Sequence, residues 1–409
     1  MATDCGPIVW CMARAVCFGA EPMFSSRSSS SPRLRIHCDG RIFALQRHGG
    51  VHRATRNLLL GLLRRQDVET HTVLPAQVAG DVSWLPPQTV SRLPEDICLR
   101  PGRLFGGLAN RWSERRRLDV WKRLDGGVFL ATYYSTYSTL RVPQITVIHD
   151  MIYERFPDLT LTPRQEFHKR EKQECIRAAD VIVCPSRSAS DDVQSLCDVR
   201  GKTVVTIPWG VEPEYQPSAD TQQVGDFRRR ITAGAPYLLY VGGRDGTKNF
   251  TPLLMAYARW SGRHDIHLLA VGGGPFGNQE NSILRALRLR ELVHCVPAMP
   301  NDELIVAYSG AAACVMPSQY EGFGFPVLEA MACGTPVAAS NVSSLPEVGG
   351  DVAVYFDPND NDAMLAALTD VTDPGLRAGR VARGLVRARE FTWSKAVDRL
   401  VEVAREQGY

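Results

Sequence analysis

The chain has 409 residues, of which 44% are apolar and 22% charged, values typical of a soluble protein with two domains that each bury a core. Its net charge of +3 is too small to indicate a nucleic-acid partner. No apolar run reaches the roughly 18 residues that a membrane span needs, and the odd set of 11 cysteines lacks paired spacing, which predicts a reducing cytoplasm rather than a disulfide framework.

The first 32 residues differ in composition from the rest of the chain. They mix apolar residues with the charges of Asp4 and Arg14 and end in a serine-rich tract, an order unlike that of a secretory signal. We expect residues 1–32 to form a disordered tail, or to result from a start codon assigned too far upstream.

Short apolar segments alternate with amphipathic ones in the first half. A strand-like segment at 33–45 is followed by a turn with Gly49 and Gly50, and then by an amphipathic helix. This order is typical of the first unit of a nucleotide-binding parallel sheet. Further strands are predicted at 127–132, 144–148, 181–184 and 203–207, and a further helix at 163–178.

The alternation returns after a proline-containing segment at 208–217, which we predict to be a linker. Alternating strands and helices favour parallel sheets with right-handed crossovers, so we predict an α/β protein with two such sheets and a ligand cleft between them. The strands predicted here are 237–241, 266–271, 292–296 and 314–316, and the helices are 250–260, 283–289, 302–312, 360–368, 376–389 and 393–406.

These elements predict two domains. We place a first domain at 33–210 and a second at 211–390. The final segment, 391–409, holds a helix that we expect to pack back on the first domain.

Residues 317–336 lie between two short apolar runs that read as buried strands, and they carry the strongest functional signal. Gly322 and Gly324 preclude a continuous helix, whereas the proline that follows them suits the first turn of one. Glu321 therefore lies in a loop, and Glu329 lies in the first turns of a helix whose free amides and dipole favour an anionic ligand. The diphosphate of a nucleotide sugar fits this description.

Glycines and basic residues follow the predicted strand at 237–241. Glycines such as Gly243 let backbone amides approach phosphate, and Arg244 and Lys248 would neutralise its charge without a metal. A solvated basic turn is the alternative. His149 ends an earlier strand, where α/β proteins bind ligands, and could donate to a sugar hydroxyl; a structural histidine is the alternative here.

Three other kinds of site fit less well. Residues 272–274 are all glycine but lack the spacing and the distant acid of a dinucleotide site, which disfavours a dehydrogenase. The helix start between Glu321 and Glu329 disfavours the carboxylate pair of a glycoside hydrolase. Residues 360–362 have a D-x-D pattern but begin a predicted helix, so we interpret them as a cap and expect no catalytic metal.

A basic segment at 104–124 contains six lysines and arginines and two tryptophans. A helix of this composition can lie on an anionic membrane, which would give peripheral contact with the inner membrane surface. A solvated surface helix is the alternative.

Taken together, these motifs resemble the family 4 retaining glycosyltransferases of the GT-B fold, in which two Rossmann-like domains face each other across a cleft. The second half carries the resemblance in VGGR at 241–244 with Lys248 and Asn249, VGGGP at 271–275, the E-x7-E pair Glu321 and Glu329, and LPE at 345–347. The first half resembles the family more weakly, in Gly49-Gly50, VIHD at 147–150, Ser186 and IPWGV at 207–211. Trp209 and the tail depart from the family pattern.

The resemblance implies a role for each matched residue around the diphosphate. Arg244 and Lys248 would bind it and stabilise the leaving group, and the Gly49-Gly50 loop would approach it from the first domain.

The resemblance also implies contacts to the sugars of the donor. Glu321 would contact the donor sugar, Glu329 the ribose, and His149 the transferred sugar near its reacting carbon. The other donor-binding residues that it implies are Gly243, Gly322, Phe323, Gly324 and Phe325.

The expected activity is that of a metal-independent, retaining hexosyltransferase without a cofactor, which uses a nucleotide-diphosphate sugar such as GDP-mannose. Its acceptor would be a growing polysaccharide or a lipid-linked glycan. The resemblance implies that the domain at 33–210 binds this acceptor and that the domain at 211–390 binds the nucleotide sugar. The protein would be cytoplasmic or held on the cytoplasmic face of the membrane. Two alternatives remain: a non-catalytic partner of a transferase that binds nucleotide sugar, and a nucleotide-sugar epimerase of the same fold.

Overall fold

The computed structural model describes residues 33–93, 126–135, 142–158, 162–244 and 246–407. The predicted tail at 1–32 and the predicted basic helix at 104–124 lie outside the described residues. The described chain forms two parallel sheets with helices packed on them, which confirms the predicted fold class. None of the helices described has both the length and the apolar character needed to cross a membrane.

The first sheet follows the alternation predicted for the first half. Its strands are β1 (Leu34–Asp39), β2 (Val68–Leu74), β3 (Val90–Arg92), β4 (Val128–Ala131), β5 (Gln144–Val147), β6 (Val181–Cys184) and β7 (Thr203–Thr206). They are parallel and lie in the order β3-β2-β1-β4-β5-β6-β7. The direction in which successive strands are added to the sheet reverses between the neighbours β1 and β4. In sheets of this kind, ligands bind at the carboxyl ends of the strands near this point. The helices are α1 (Ile42–Leu45), α2 (Gly50–Leu63), α3 (Ile152–Arg155), α4 (Pro163–Ala178) and α5 (Arg187–Leu196).

The second sheet repeats this architecture. Its strands are β8 (Tyr237–Val241), β9 (His267–Val271), β10 (Val293–Val296), β11 (Ala313–Met316), β12 (Val337–Ser340) and β13 (Val354–Phe356), in the order β10-β9-β8-β11-β12-β13. The helices are α6 (Thr221–Thr232), α7 (Phe250–Arg259), α8 (Asn278–Ala286), α9 (Asn301–Gly310), α10 (Phe325–Ala332), α11 (Leu345–Gly349), α12 (Asn361–Val371), α13 (Pro374–Ala388) and α14 (Trp393–Arg405). Cores of buried aliphatic and aromatic side chains pack around both sheets.

Some boundaries differ from the prediction for local reasons. The apolar segment at 33–45 is a strand only as far as Asp39, because the Asp39 carboxylate accepts a hydrogen bond of 2.9 Å from the Arg41 amide and the chain turns into α1. Helix α8 begins before the predicted start at residue 283, because Glu280 accepts a hydrogen bond of 2.8 Å from the Gly277 amide and stabilises an earlier first turn.

The D-x-D segment at 360–362 begins a helix, as predicted. The Asp360 carboxylate accepts hydrogen bonds of 2.8 and 3.0 Å from the amides of Asp362 and Ala363. Asp360 is therefore the N-cap of α12.

The segment at 208–217, predicted to be a linker, connects the two sheets and is packed against the chain at Trp209 and Gly210. Trp209 is only 1% exposed, and its ring stacks on that of Trp393 with 5.9 Å between centroids. At Gly210 a Cβ atom would overlap the backbone of Trp393. A larger residue would therefore push apart the two segments, around residues 210 and 393, in which the chain passes between the sheets.

The last helix crosses back to the first sheet. Helix α14 packs against α2, where Gly61 leaves room for the side chain of Val397. Arg65, just beyond the end of α2, also forms an ion pair with Asp398 of α14.

Candidate functional site

The carboxyl ends of β5 and β11 meet across the cleft between the two sheets. The first strand leads into His149, and the second leads into the loop that holds Glu321. The approach is closest at Gly322, where a Cβ atom would overlap the carbonyl oxygen of His149. Only glycine fits this contact, and it brings together two predicted site regions that lie far apart in the sequence.

Residues of the first half hold this loop in place. Ser186 donates to the carbonyl of Gly322 at 2.8 Å. The Tyr320 hydroxyl accepts a bond of 3.1 Å from the Met151 amide and donates one of 2.8 Å to Asp192. Nothing in the sequence indicates Tyr320 or Asp192 as site residues, because their partners lie on distant segments of the chain.

His149 is buried at the carboxyl end of β5, with 7% of the residue exposed. Its Nε2 lies 2.9 Å from the Thr132 carbonyl, which can only accept, so this network assigns the proton to Nε2. Burial lowers the pKa of His149 below its ordinary value, and the bond to Thr132 offsets only part of that effect. The neutral ring therefore accepts at Nδ1, which reverses the donation to a sugar hydroxyl that we expected.

Lys248 and Glu321, both predicted site residues, form an ion pair. Nζ lies 2.6 Å from Oε1 of Glu321, and Ser318 donates to the same oxygen at 2.7 Å. The Glu321 amide is also held, because it donates to the Ser343 hydroxyl at 2.9 Å. The Lys248 side chain is 31% exposed, so an anionic ligand could compete with Glu321 for its charge.

Arg244 has a different set of partners. Nε donates to Glu280 at 2.6 Å, and Nη1 donates to the Gly272 carbonyl at 2.6 Å. Nη2 reaches the carbonyls of Gly274 and Pro275 at 3.0 and 3.1 Å. The guanidinium is thus bound to the loop that follows β9, and 5% of the side chain is exposed.

The Gly49-Gly50 turn lies against the start of α10. Gly49 has a φ of 141°, which side-chain-bearing residues rarely adopt. A Cβ atom at Gly50 would lie 3.4 Å from the Phe325 ring, which itself contacts Phe323 with 5.2 Å between centroids. The turn of the first half and the start of α10 therefore form one wall of the cleft. The other predicted donor-binding residues are Gly243, at the end of β8, and Gly324, before α10.

Glu329 lies on α10 and is 2% exposed. Its carboxylate accepts a hydrogen bond of 2.5 Å from Arg53 of α2 and one of 2.7 Å from the Tyr308 hydroxyl of α9. Arg53 also donates hydrogen bonds of 2.9 and 2.7 Å to the two carboxylate oxygens of Glu212. Glu329, the residue expected to contact the ribose, therefore belongs to a buried network that spans both halves of the chain.

Two carboxylates share the single guanidinium of this network. Burial alone would lower the pKa of the Arg53 guanidinium. The charges of Glu329 and Glu212 outweigh that effect, so the pKa is raised. Burial and the charge of Glu329 likewise raise the pKa of Tyr308 well above its ordinary value, so that its hydroxyl stays a donor. Neither Arg53 nor Glu212 was a predicted site residue. The one available signal was the position of Arg53 just after the Gly49-Gly50 turn.

The side chains gathered here suit a ligand with anionic and hydroxyl groups. Lys248 offers a cation, Glu321 and Glu329 offer hydroxyl acceptors, and His149 offers a neutral acceptor. Among the residues that the structure describes, no three His, Cys, Asp or Glu side chains are grouped so as to hold a metal ion.

Family models match both halves of the chain. The model described as Glycosyltransferase Family 4 matches residues 48–215, and the model described as Glycosyl transferases group 1 matches residues 224–378. The two matches fall on the first and second sheets respectively.

Individual relatives agree with these matches. The chain is 30% identical to O-antigen chain mannosyltransferase B of Escherichia coli over 261 residues, which are 63% of this chain and 68% of the relative. It is 30% identical to D-inositol 3-phosphate glycosyltransferase of Acidothermus cellulolyticus over 253 residues, but that match spans only 55% of the relative.

Solved structures share the fold of this chain. Sucrose-phosphate synthase from Thermosynechococcus elongatus superposes with a TM-score of 0.71 at 20% identity, covering 91% of this chain and 99% of that one. Anabaena HepE in complex with UDP and glucose superposes with a TM-score of 0.70 at 16% identity, covering 91% of this chain and 100% of that one. Identities this low show the fold alone. With the family models and the mannosyltransferase relative, they identify the chain as a member of the group 1, family 4 glycosyltransferases with the GT-B fold.

Proposed function

We propose that this glycosyltransferase moves a hexose, with retention of configuration, from a nucleotide-diphosphate sugar to a hydroxyl of a growing polysaccharide or a lipid-linked glycan. The main support is the contact between His149 and Gly322, because it brings the backbone of His149 in the first domain against the loop of Glu321. Mannose is favoured as the hexose, since relatives include the Escherichia coli O-antigen mannosyltransferase and the MMP alpha-(1->4)-mannosyltransferase of Mycolicibacterium hassiacum.

Lys248 would act on the leaving group. Departure of a nucleoside diphosphate develops negative charge on the phosphate oxygen, and a fixed ammonium stabilises that charge most in the transition state. The diphosphate would take the place of Glu321 beside Lys248 and free this carboxylate for hydroxyls of the donor sugar. Lys248 would thereby supply the charge that a metal supplies in other transferases, so we propose a reaction without metal or cofactor.

Glu329 would hold the ribose of the donor. Its two oxygens already accept bonds from Arg53 and Tyr308, and each keeps a further lone pair for a ribose hydroxyl. The Gly49-Gly50 turn would approach the diphosphate from the first domain, where the lack of side chains permits close contact.

His149 would accept a hydrogen bond from a hydroxyl of the transferred sugar. Because Nδ1 carries no proton, it can only accept a hydrogen bond. Its partner on the sugar would therefore be a free hydroxyl near the reacting carbon. Retention would follow from attack by the acceptor hydroxyl on the face from which the diphosphate leaves, so the reaction needs no covalent nucleophile. Contact between the two sheets would limit access of water and so reduce donor hydrolysis.

We also propose a cytoplasmic location, with peripheral membrane contact through the basic segment at 104–124. The cysteine pattern and the composition of that segment support it. Sedimentation with anionic liposomes, compared with a variant in which Arg115, Arg116 and Arg117 are replaced by serine, tests the contact. Equal sedimentation of the two proteins would contradict it.

Donor identity and stereochemistry can be tested together. We would measure the shift in melting temperature with GDP-mannose, UDP-glucose and UDP-N-acetylglucosamine, because a ligand that binds only the folded state must raise it. NMR would then record which anomer of the sugar is released or transferred first from the donor that binds. We expect one donor series to bind and the donor configuration to be kept.

Three outcomes would contradict the proposal. Release of the inverted anomer would exclude retention. Binding without turnover, with a range of glycoside acceptors, would indicate a non-catalytic partner. Conversion of a UDP-linked sugar to its epimer would indicate an epimerase.

A further inference from the structure

A cavity of about 270 Å³ lies at the edge of the second sheet that is opposite the candidate site. Its walls include Pro236, Ala311 and Ala312, which come just before strands β8 and β11. Those strands are parallel, so their amino ends share one edge of the sheet, whereas Gly243 and Glu321 follow their carboxyl ends. This space, which we call the amino-edge cavity, is therefore separate from the cleft between the domains.

Two arginines line the amino-edge cavity, Arg228 of α6 and Arg377 near the start of α13. Both side chains are partly buried. Neither forms an ion pair with any carboxylate that the structure describes. Burial and then the charge of Arg228 lower the pKa of Arg377 below its ordinary value. Two like charges are thus held close together without a counter-ion from the described chain.

The carbonyl end of α9 explains only part of this arrangement. Nη2 of Arg228 donates to the Gly310 carbonyl at 2.9 Å. Arg377 donates to the carbonyls of Ala312 and Ala311 at 2.6 and 3.2 Å. A cation is favoured at such a helix end, but one would suffice. Because a guanidinium has five N–H groups, most of those on the two arginines have no acceptor within the described ranges, and Nε of Arg228 is buried as well.

We propose that the amino-edge cavity binds a phosphate dianion, held between Arg228 and Arg377. Such a site goes beyond the proposed function and does not depend on sugar transfer. Two guanidiniums balance the charge of the dianion, and each can bond two of its oxygens in parallel. The anion would also offset the repulsion between the arginines, which is stronger in this partly buried place than in water.

The volume of the cavity limits the ligand. Pockets for drug-sized molecules measure roughly 300–1,000 Å³. The 270 Å³ available here is enough for inorganic phosphate, or for the phosphate end of a small ester such as a phosphorylated hexose, but is too small to enclose a nucleotide. Because both arginines are partly exposed, the rest of an ester would extend into solvent.

One carboxylate also lines the cavity. Asp373 is the N-cap of α13 and accepts a hydrogen bond of 2.7 Å from the Gly375 amide. That bond holds the carboxylate at the start of the helix, and its charge opposes an anion in the cavity. Asp373→Asn should therefore bind phosphate more tightly than the wild type, because asparagine also caps helices but carries no charge.

Calorimetry with sodium phosphate, at an ionic strength held constant with sodium chloride, would measure the dissociation constant. We expect binding to the wild type and about tenfold weaker binding to Arg228→Gln and to Arg377→Gln, since each loses charged hydrogen bonds. Glutamine keeps a donor for the carbonyls of α9, so these variants change the charge more than the fold. Arg229→Gln and Arg383→Gln alter exposed arginines on the same two helices and should bind phosphate as the wild type does.

Lys248→Ala separates the amino-edge cavity from the donor site, where phosphate would also bind. The phosphate binding that depends on Arg228 should persist in Lys248→Ala, because the two residues lie at opposite edges of the sheet. Loss of all phosphate binding in Lys248→Ala, with the arginine variants unchanged, would overturn the inference by assigning the ion to the donor site.

Glucose 6-phosphate tests which compound supplies the dianion. Tighter binding of this ester than of inorganic phosphate would identify a phosphate ester as the ligand, and the reverse order would identify the free ion; both results support the site. No binding of either probe to the wild type, or equal affinity in the wild type, Arg228→Gln and Arg377→Gln, would overturn it. If an arginine variant does not fold, unchanged affinity in Asp373→Asn would contradict the site in the same way.

Discussion

Nη1 of Arg53 lies 2.5 Å from Oε1 of Glu329, and this ion pair joins α2 of the first domain to α10 of the second. The same guanidinium forms an ion pair with Glu212, which lies in the segment that connects the domains. Arg53 therefore links α2, the connecting segment and α10, which would move relative to one another if the cleft opened. The proposed ribose contact of Glu329 thus depends on how the two domains are arranged.

We expect Arg53→Ala to destabilise the protein strongly. The side chains of Glu212 and Glu329 are 4% and 2% exposed, and the change would leave both carboxylates buried without a cation. Breaking a buried pair in this way costs about 3–5 kcal/mol, which urea denaturation would measure.

Arg65→Ala is the matched control. Arg65 lies just beyond the end of the same helix, but its partners Asp67 and Asp398 are 43% and 51% exposed, so its loss should cost less than about 1 kcal/mol. Adding Glu212→Gln to Arg53→Ala should recover part of the lost stability, because it removes one unpaired charge. Equal effects of Arg53→Ala and Arg65→Ala would contradict the buried network.

Gly322→Ala should reduce transfer activity. Its Cβ would overlap the His149 carbonyl and force the loop of Glu321 away from the first domain. Misplacement of about 1 Å costs on the order of 100-fold in rate, so we expect a loss of that size in kcat/KM.

Gly379→Ala serves as the control for this change. Gly379 lies inside α13 with no atom near its Cβ position, so alanine should raise stability by about 0.5–1 kcal/mol and leave activity unchanged. Full activity in Gly322→Ala would show that the contact with His149 does not position the loop.

Asp39 should make stability fall as the pH rises. Burial raises the pKa of this carboxyl to about 6, against the opposing hydrogen bonds from Ser135 and the Arg41 amide. As the pH rises from about 4 to 6, the unfolded chain loses its proton first, so the folded state loses about 3 kcal/mol relative to Asp39→Asn. Denaturation of both proteins between pH 4 and 7 measures the difference. A gap between the two proteins that does not vary with pH would refute the raised pKa.

Glu347→Gln should weaken the contact between the domains. The Glu347 carboxylate accepts bonds of 2.7 and 2.8 Å from the amides of Arg187 and Ser188, in the first turn of α5 in the other domain. A charged acceptor at a helix start contributes about 1 kcal/mol. Faster hydrogen exchange of these two amides is expected, with no change in Glu402→Gln, which alters an exposed carboxylate. Unaltered exchange in Glu347→Gln would show that the cap is dispensable.

Local patterns were sufficient to predict most of the fold. The alternation of apolar and amphipathic segments predicted both sheets, and the helix at Pro163–Ala178 and the strand at Tyr237–Val241 have the predicted bounds. The apolar run after residue 336, predicted as a buried strand, is β12 (Val337–Ser340). Strand β13 of the second sheet was not predicted, because Val354–Phe356 has only three residues. Pairing in the sheet, which is not local, stabilises it.

The site was predicted only where a motif is contiguous. Glu321 and Lys248 were recognised from their loops, and the structure places them in contact. Arg53 and Tyr320 act through partners far along the chain, which no spacing reveals. The surroundings of Arg244 were likewise hidden, because its partner Glu280 lies 36 positions away on the next helix.

The most direct test of the proposed transfer reaction is the rate at which nucleoside diphosphate is released from the donor that binds best, in the wild type and in Lys248→Ala, with folding of both checked by melting temperature. If Lys248 stabilises the leaving group, the wild type turns the donor over and the variant is slower by about 100-fold or more, the loss typical of a removed electrostatic donor. Equal rates of release in the two proteins would contradict the assignment of the cleft as the site of sugar transfer.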